Sequence, residues 1–118
     1  MSARRAAFAR GLRAEGWAAF WLRLKGYRVL ARRHRTPVGE IDLVCLKGDT
    51  LVFVEVKRRD RLDDAVLALQ AVQRARLVRA AGAYLRRHPR HQGLDCRFDL
   101  VAVGRFGVLR HLKDAHRA

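Results

Sequence analysis

Two aliphatic, β-branched runs, residues 41–46 and 51–56, flank the pair Gly48-Asp49. A glycine–aspartate pair between such runs is typical of a two-residue β-hairpin turn. Because a turn of this length fixes which residues lie opposite each other, it also fixes the face of the sheet that each side chain occupies. The chain is therefore predicted to fold around an antiparallel strand pair in a defined register.

That register would place four charged groups on one face of the hairpin. Counting back from the turn, Asp42 lies opposite Glu55, and Glu40 lies opposite Lys57. Opposed side chains share a face with Cβ atoms roughly 5 Å apart, and residues two apart on a strand also share a face. The sequence thus predicts three carboxylates and one lysine on a single surface.

Carboxylates this close need a cationic partner. Two of them about 5 Å apart repel by roughly 3 kcal/mol at an effective dielectric constant near 20. Mg²⁺ binds oxygen ligands, usually one or two carboxylates together with water and phosphate. Asp42, Glu55 and the main-chain carbonyl of Val56 would form such a ligand set. The alternative is that neighbouring arginines neutralise the acids in an ordinary ion-pair network.

Lys57 favours the metal hypothesis. The chain has only four lysines among its 26 basic residues, and one of them stands beside the predicted ligands. Lysine carries a compact charge whose pKa changes readily, whereas arginine stays protonated. Lys57 is therefore a candidate to orient or deprotonate a water, or to stabilise charge on a phosphate. The alternative is that this lysine stands there by chance.

These motifs, in this order, resemble a nuclease core. Gly39-Glu40-Ile41-Asp42 followed by Phe53-Val54-Glu55-Val56-Lys57 is similar to the centre of the PD-(D/E)xK nucleases, and more narrowly to the small bacterial YraN-like, Holliday-junction-resolvase-like family. The resemblance covers roughly residues 11–112 and includes Arg97-Phe98-Asp99 as a late strand motif. It implies an α/β fold with a restriction-endonuclease-like αβββαβ core, in which helices flank a mixed β-sheet.

The resemblance also implies roles for single residues. Asp42 and Glu55 would be ligands of Mg²⁺ or Mn²⁺, and Lys57 would be the catalytic lysine. Glu15, on the first predicted helix, would be a further acidic group near the metal.

Two positions depart from that family's pattern. Arg33 occupies a place on the first strand where asparagine is usual, and Gln73 a place on the second long helix where lysine or another polar active-site group is usual. The spacing puts Gln73 on the helix face that carries Leu69 and Leu77, toward the sheet. A polar side chain there would reach the site, and the alternative is a half-buried glutamine at the edge of the helix.

Composition indicates a polyanionic partner. The chain is predicted to be a single domain over residues 1–118, with a net charge of +15 and a pI near 11.6. Nucleic acid is the usual partner of such a protein, and we expect DNA rather than RNA. Arg58, Arg59 and Arg61 directly follow Lys57 and are the candidate phosphate contacts. The alternative is a solvated basic surface from an arginine-rich coding bias.

The chain is expected to be cytoplasmic and to have no membrane partner. No apolar run approaches the length of a transmembrane helix. Cys45 and Cys96 are predicted to be buried and reduced, as in a reducing compartment. A homodimer is expected, because junction resolvases act on two-fold symmetric substrates and symmetric dimers are the commonest soluble oligomers.

Periodicity predicts the remaining elements. Trp17 and Trp21, four residues apart on the first helix, are predicted to be core residues, with stacking on unpaired bases as the alternative. The predicted elements are a helix over 3–25, a strand over 27–33, the hairpin strands, a helix over 62–87, a loop over 88–93, a strand over 95–103 and a strand over 108–112.

The sequence therefore leads to a metal-dependent endonuclease that hydrolyses phosphodiester bonds in DNA, in branched or structured form. Two alternatives stay open. One is a non-catalytic nucleic-acid-binding module that retains the nuclease fold. The other is a basic scaffold protein without a site.

Overall fold

A computed structural model of the protein describes residues 2–71 and 74–114. Its helices and strands follow the predicted order, with one helix divided in two. They are α1 Ala3–Leu24, β1 Arg28–Thr36, β2 Gly39–Lys47, β3 Thr50–Arg58, α2 Leu62–Gln70, α3 Arg74–Arg87, β4 Asp95–Val103 and β5 Leu109–Leu112, with single 3₁₀ turns at Pro89–His91 and Arg105–Gly107.

The strands form one mixed sheet in the order β1-β2-β3-β4-β5. All neighbours are antiparallel except β3 and β4, which are parallel and are connected through the α2 and α3 segment. A parallel pair needs such a crossover connection. The predicted α/β class, a mixed sheet flanked by helices, is confirmed and is consistent with a restriction-endonuclease-like core.

Helices cover both faces of the sheet. Ala18 and Leu22 of α1 pack on one face in a cluster with Leu43 and Val54. On the opposite face, Tyr84 of α3 packs in a second cluster with residues of β2 and β3. The small alanine face lets α1 lie close to the strands, and the sheet is therefore buried between two helical layers.

The predicted hairpin register holds in the half nearest the turn. Gly48 has a φ of 58°, which suits glycine, and the pairs from Lys47–Thr50 to Leu43–Val54 form as expected. The ladder ends there, so the predicted pairs beyond it, in which Asp42 opposes Glu55 and Glu40 opposes Lys57, do not form. The physical reason lies at Asp42, whose side chain takes the place of a main-chain partner.

The alternation of side chains in β2 also breaks at this point. Ile41 packs in the cluster on the α3 face, whereas Leu43 packs in the cluster on the α1 face. In a regular strand, residues two apart share a face. Arg33, near this point on β1, has a φ of 52°, a value that few residues other than glycine or asparagine adopt. Both strands are thus distorted where the acids lie.

The predicted single helix over 62–87 is wrong in one respect, because it is two helices. Leu69 of α2 packs against Leu100 on β4, whereas Tyr84 of α3 packs over β2. A twisted sheet turns its surface between these strands, so that one straight helix does not follow both. Gln73, a predicted site residue, lies outside the described residues.

Two further predictions are corrected by burial. Cys45 is buried as predicted, but Cys96 is exposed, and both thiols are free. Trp21 is partly buried against the core, but Trp17 is 42% exposed. No helix within the described ranges is long and apolar enough to cross a membrane.

Candidate metal centre

Three acidic side chains converge where β2 leaves β3. One carboxylate oxygen each of Glu15, Glu40 and Asp42 lies within 4.8 Å of the others. Glu15 comes from α1, nine residues before the last residue of the helix, Leu24, and the other two come from β2. The group therefore forms only when the helix packs on the sheet.

Glu40 has a different partner from the predicted one. Its carboxylate lies 3.7 Å from Arg33 Nε and 3.4 Å from Arg35 Nε, in ion pairs along β1 and β2. The expected pairing of Glu40 with Lys57 is wrong, because the ladder between β2 and β3 ends before it reaches them. Glu40 belongs instead to the acidic group.

Asp42 connects the acidic group to β3. Its Oδ2 atom accepts a hydrogen bond of 2.8 Å from the Val56 main-chain N–H. The carboxylate thus occupies the gap between the two strands, where a carbonyl of β2 would otherwise accept. This bond holds Asp42 beside Glu55 although the two residues are not a ladder pair. The predicted use of the Val56 carbonyl as a ligand stays a prediction.

Glu55 is buried and is paired with an arginine. Arg76 of α3 places Nη2 at 3.5 Å from Glu55 Oε2, and its Nη1 atom donates to the Glu40 carbonyl at 3.4 Å. Sequence reasoning missed Arg76. The available signal was its place three residues after Gln73 in the helix predicted over 62–87, because residues three apart on a helix share a face.

Burial makes ionisation of these acids costly. It raises the pKa of Glu55 to about 8, with the charge of Asp42 adding to the effect and Arg76 and Lys57 opposing it. Burial, followed by the charge of Asp42, likewise raises the pKa of Glu15 to about 7. The pKa of Asp42 is raised as well, mainly by burial and in spite of the Val56 hydrogen bond. Burial thus outweighs the nearby cations in setting the pKa values of these carboxylates.

Two oxygens of the site receive no hydrogen bond from the part of the chain that the structure describes. They are Glu15 Oε1 and Glu55 Oε1, and both are buried. An unpaired buried carboxylate oxygen is unfavourable. An oxygen-rich donor set with unsatisfied atoms suits a hard divalent cation such as Mg²⁺ or Mn²⁺. The residues present thus fit a metal ion.

Lys57 lies with the acids as predicted. It is half-buried at the end of β3, and its charge lowers the pKa of both Asp42 and Glu55. Asp42 therefore connects two sets of predicted residues. It lies with Glu15 and Glu40 in the acidic group, and its charge and that of Lys57 both act on Glu55. Among the described residues, Glu55 is not part of the group of oxygens within 4.8 Å.

The arginines after Lys57 border a groove of about 460 Å³. Arg58 and Arg59 line it together with Arg10 of α1. Arg58 is paired with Asp60 at 2.6 Å, and Arg61 is exposed just before α2. Basic side chains from α1 and from the end of β3 thus line this groove.

The Arg97-Phe98-Asp99 motif forms a separate buried network. Asp99, 1% exposed, accepts hydrogen bonds from Arg97 at 2.8 and 2.9 Å and from His111 at 2.7 Å. Burial alone would raise the pKa of Asp99, but these bonds outweigh it and lower the pKa to about 2. His111 also contacts Lys25. Lys25 follows Glu15 by ten residues, which corresponds to roughly 15 Å along the axis of α1. This network stabilises the fold away from the acidic group.

Comparison with known proteins identifies a family. Residues 14–103 match the uncharacterised protein family UPF0102. UPF0102 proteins of Parvibaculum lavamentivorans and Nitrobacter winogradskyi are 53% and 49% identical over 112 and 113 residues, which cover 95% and 96% of this chain and 84% and 96% of those proteins. A UPF0102 protein of Rhodopseudomonas palustris is 50% identical over 107 residues, 91% of this chain and 82% of that protein. The chain therefore belongs to the UPF0102 family.

Proposed function

We propose that this protein is a metal-dependent endonuclease of the PD-(D/E)xK type that hydrolyses phosphodiester bonds in DNA. The observation that carries the proposal is the pair of buried carboxylate oxygens on Glu15 and Glu55 that receive no hydrogen bond from the described residues, each on an acid whose pKa is raised by burial and by the charge of Asp42. A chain of net charge +15 that buries acids in this way supports a site for a cation and a phosphate together.

Each residue of the site would have a distinct task. Asp42 and Glu55 would hold one Mg²⁺ or Mn²⁺, with the Val56 carbonyl as a further oxygen, and Glu15 would hold a second ion or the attacking water. When bound, the ion would supply charge to the phosphate and lower the pKa of a water. Lys57 would donate to a phosphate oxygen and position the attacking water.

The basic groove would hold the substrate backbone. Arg10, Arg58 and Arg59 line it, and guanidinium groups bind phosphate in a bidentate manner. Such contacts position nucleic acid without reading its sequence. DNA, in branched or structured form, remains the proposed substrate, and the proposal includes a cytoplasmic homodimer.

Cleavage assays with matched lysine variants test this function. Lys57→Ala should abolish cleavage of junction and linear DNA in Mn²⁺, whereas Lys113→Ala, which removes an exposed lysine and the same charge, should cleave like the wild type. Calorimetry should detect saturable binding of Mg²⁺ that is lost in Asp42→Ala and kept in Lys57→Ala. Failure of the wild type to cleave any form of DNA or RNA would refute the enzymatic proposal.

One observation favours a second candidate, a nucleic-acid-binding module without catalysis. Arg76 contacts Glu55, and Arg33 and Arg35 contact Glu40, so arginines already offer part of the compensating charge. A module of this kind would bind DNA equally well in chelator and in Mg²⁺, and Lys57→Ala would change neither result. Affinities measured in both buffers separate the two candidates.

A further inference from the structure

The turn between β4 and β5 holds an aromatic side chain out in solvent. Phe106 is 92% exposed and has a φ of 63° and a ψ of 22°. This left-handed conformation is unfavourable for a bulky residue, and a solvent-exposed ring gains no packing in return. A strained residue that packing does not explain is a reason to look for function.

Three hydrogen bonds fix the turn in place. The Gly104 N–H donates to the Val108 carbonyl at 2.7 Å, and the Arg105 N–H donates to the Asp60 carbonyl at 3.1 Å. Trp17 of α1 donates from Nε1 to the Gly107 carbonyl at 2.9 Å. The turn is thus tied to the end of β3 and to α1, and Phe106 is presented from a fixed frame.

The surroundings of Phe106 combine aromatic and basic groups. A cavity of about 170 Å³ lies between Phe106 and Trp17, and Arg13 and Arg58 are among its other lining residues. The Arg105 guanidinium lies 5.3 Å from the Phe106 ring centroid. Aromatic faces flanked by guanidinium groups suit a nucleobase with its phosphates, because the ring stacks on the base and the cations contact the backbone.

Two residues that line this cavity are sequence neighbours of residues at the candidate metal centre. Ala14, which also lines the cavity, precedes Glu15 on α1, and Arg58 follows Lys57 on β3. A nucleic acid that places a base in this cavity would therefore contact the same helix and strand that carry Glu15 and Lys57.

We propose that Phe106 and Trp17 form a stacking site for an unpaired nucleobase. This inference rests on the proposed function and narrows its substrate to DNA with an unstacked base beside the scissile phosphate, as in gaps, flaps and junctions. An intact duplex keeps its bases stacked on each other and offers none to the turn. Trp17 also positions the turn, so that Phe106 is the residue to test.

The test is binding to DNA that carries 2-aminopurine in a short single-stranded gap, measured in chelator so that no cleavage occurs. Stacking on Phe106 should quench the 2-aminopurine fluorescence, and the wild type should bind gapped DNA more tightly than duplex. Phe106→Ala should abolish the quenching and lower the affinity for gapped DNA by at least about tenfold, while its affinity for duplex DNA should stay the same. Phe106→Trp should restore both. Val108→Ala, which shortens another exposed side chain of the turn, should behave as the wild type.

The outcomes separate this inference from the proposed function. Normal cleavage together with equal binding by Phe106→Ala and wild type refutes the stacking site alone. If the wild type quenches 2-aminopurine fluorescence but cleaves no DNA, the proposed nuclease function is refuted and the stacking site is supported. If Phe106→Ala turns a dimer into a monomer in light scattering and changes no DNA binding, the turn is a contact between copies and the stacking site is wrong.

Discussion

Replacing Glu55 with glutamine should remove a large part of the pH dependence of unfolding in the absence of divalent cations. Burial, reinforced by the charge of Asp42, raises the pKa of Glu55 to about 8 from an ordinary value of 4.5. The folded protein therefore holds a proton that the unfolded chain releases. This contribution to stability is fully present below pH 4.5 and is lost as the pH rises through about 8.

The two pKa values set the size of the effect. Between pH 5 and pH 8, linkage gives a loss of about 3 kcal/mol in the free energy of unfolding from Glu55 alone, at a slope of at most about 1.4 kcal/mol per pH unit. Glu15, whose pKa is raised to about 7, acts in the same direction and is unchanged in the variant. The loss in Glu55→Gln should therefore be about 3 kcal/mol smaller than in the wild type.

Urea unfolding at several pH values from 5 to 8, with chelator and then with excess Mg²⁺, measures this difference. Asp49→Asn is the matched control, because it neutralises an exposed carboxylate in the hairpin turn. It should keep the wild-type pH dependence. Excess Mg²⁺ should flatten the wild-type curve, since the ion binds the ionised carboxylates. Identical pH dependence of Glu55→Gln and the wild type would show that Glu55 is not protonated in the folded state.

Three further predictions concern stability and reactivity. Asp99→Asn should lower the free energy of unfolding by about 3 kcal/mol in urea titrations, because it removes the buried charge that pairs with half-buried Arg97; a change below about 1 kcal/mol would contradict this. Phe106→Asn should raise the free energy of unfolding by about 1 kcal/mol, since asparagine tolerates the left-handed region. A lower urea midpoint than that of the wild type would argue against strain at this position. A maleimide should label Cys96 in the native protein and Cys45 only after unfolding, as mass spectrometry of the modified peptides would establish.

The parts of the fold that the sequence predicts correctly rest on local signals. Gly48 and the β-branched runs around it set the hairpin and its first five pairs, because a two-residue turn leaves little freedom of register. The register also predicted that Asp42 lies near Glu55, but the structure reaches this proximity through the hydrogen bond from the Val56 N–H to Asp42 and not through a ladder pair. Glu15 lies with them as the family resemblance implied, although it is far away in the sequence.

The errors have long-range causes. The hairpin ladder ends at Leu43 because the Asp42 side chain accepts the Val56 N–H, and a strand pattern does not reveal such a substitution. Arg76 on α3 pairs with Glu55 on β3, and this contact exists only once the helix has packed on the sheet. The division of the helix over 62–87 follows the twist of the sheet below it. Local propensity carries none of this information.

The conformation of Phe106, on the protein surface, also depends on long-range contacts that the local sequence does not predict. Gly104 and Gly107 around it predict a turn, but a positive φ at the phenylalanine depends on hydrogen bonds that reach α1 and the end of β3. Trp17 is exposed for a related reason, because its indole N–H donates a hydrogen bond to the turn at Gly107. Helical spacing alone assigned this residue to the core.

The hydrogen bond between Asp42 and the Val56 N–H gives the protein an internal spectroscopic reporter. An amide proton bonded to a carboxylate has a chemical shift that follows the charge of that carboxylate. One ¹⁵N–¹H resonance, in the centre of the sheet, will therefore respond to protonation of the site and to occupancy by an ion. It does so without substrate, turnover or mutation. Binding of a diamagnetic cation such as Mg²⁺ is thus readable from a single backbone amide.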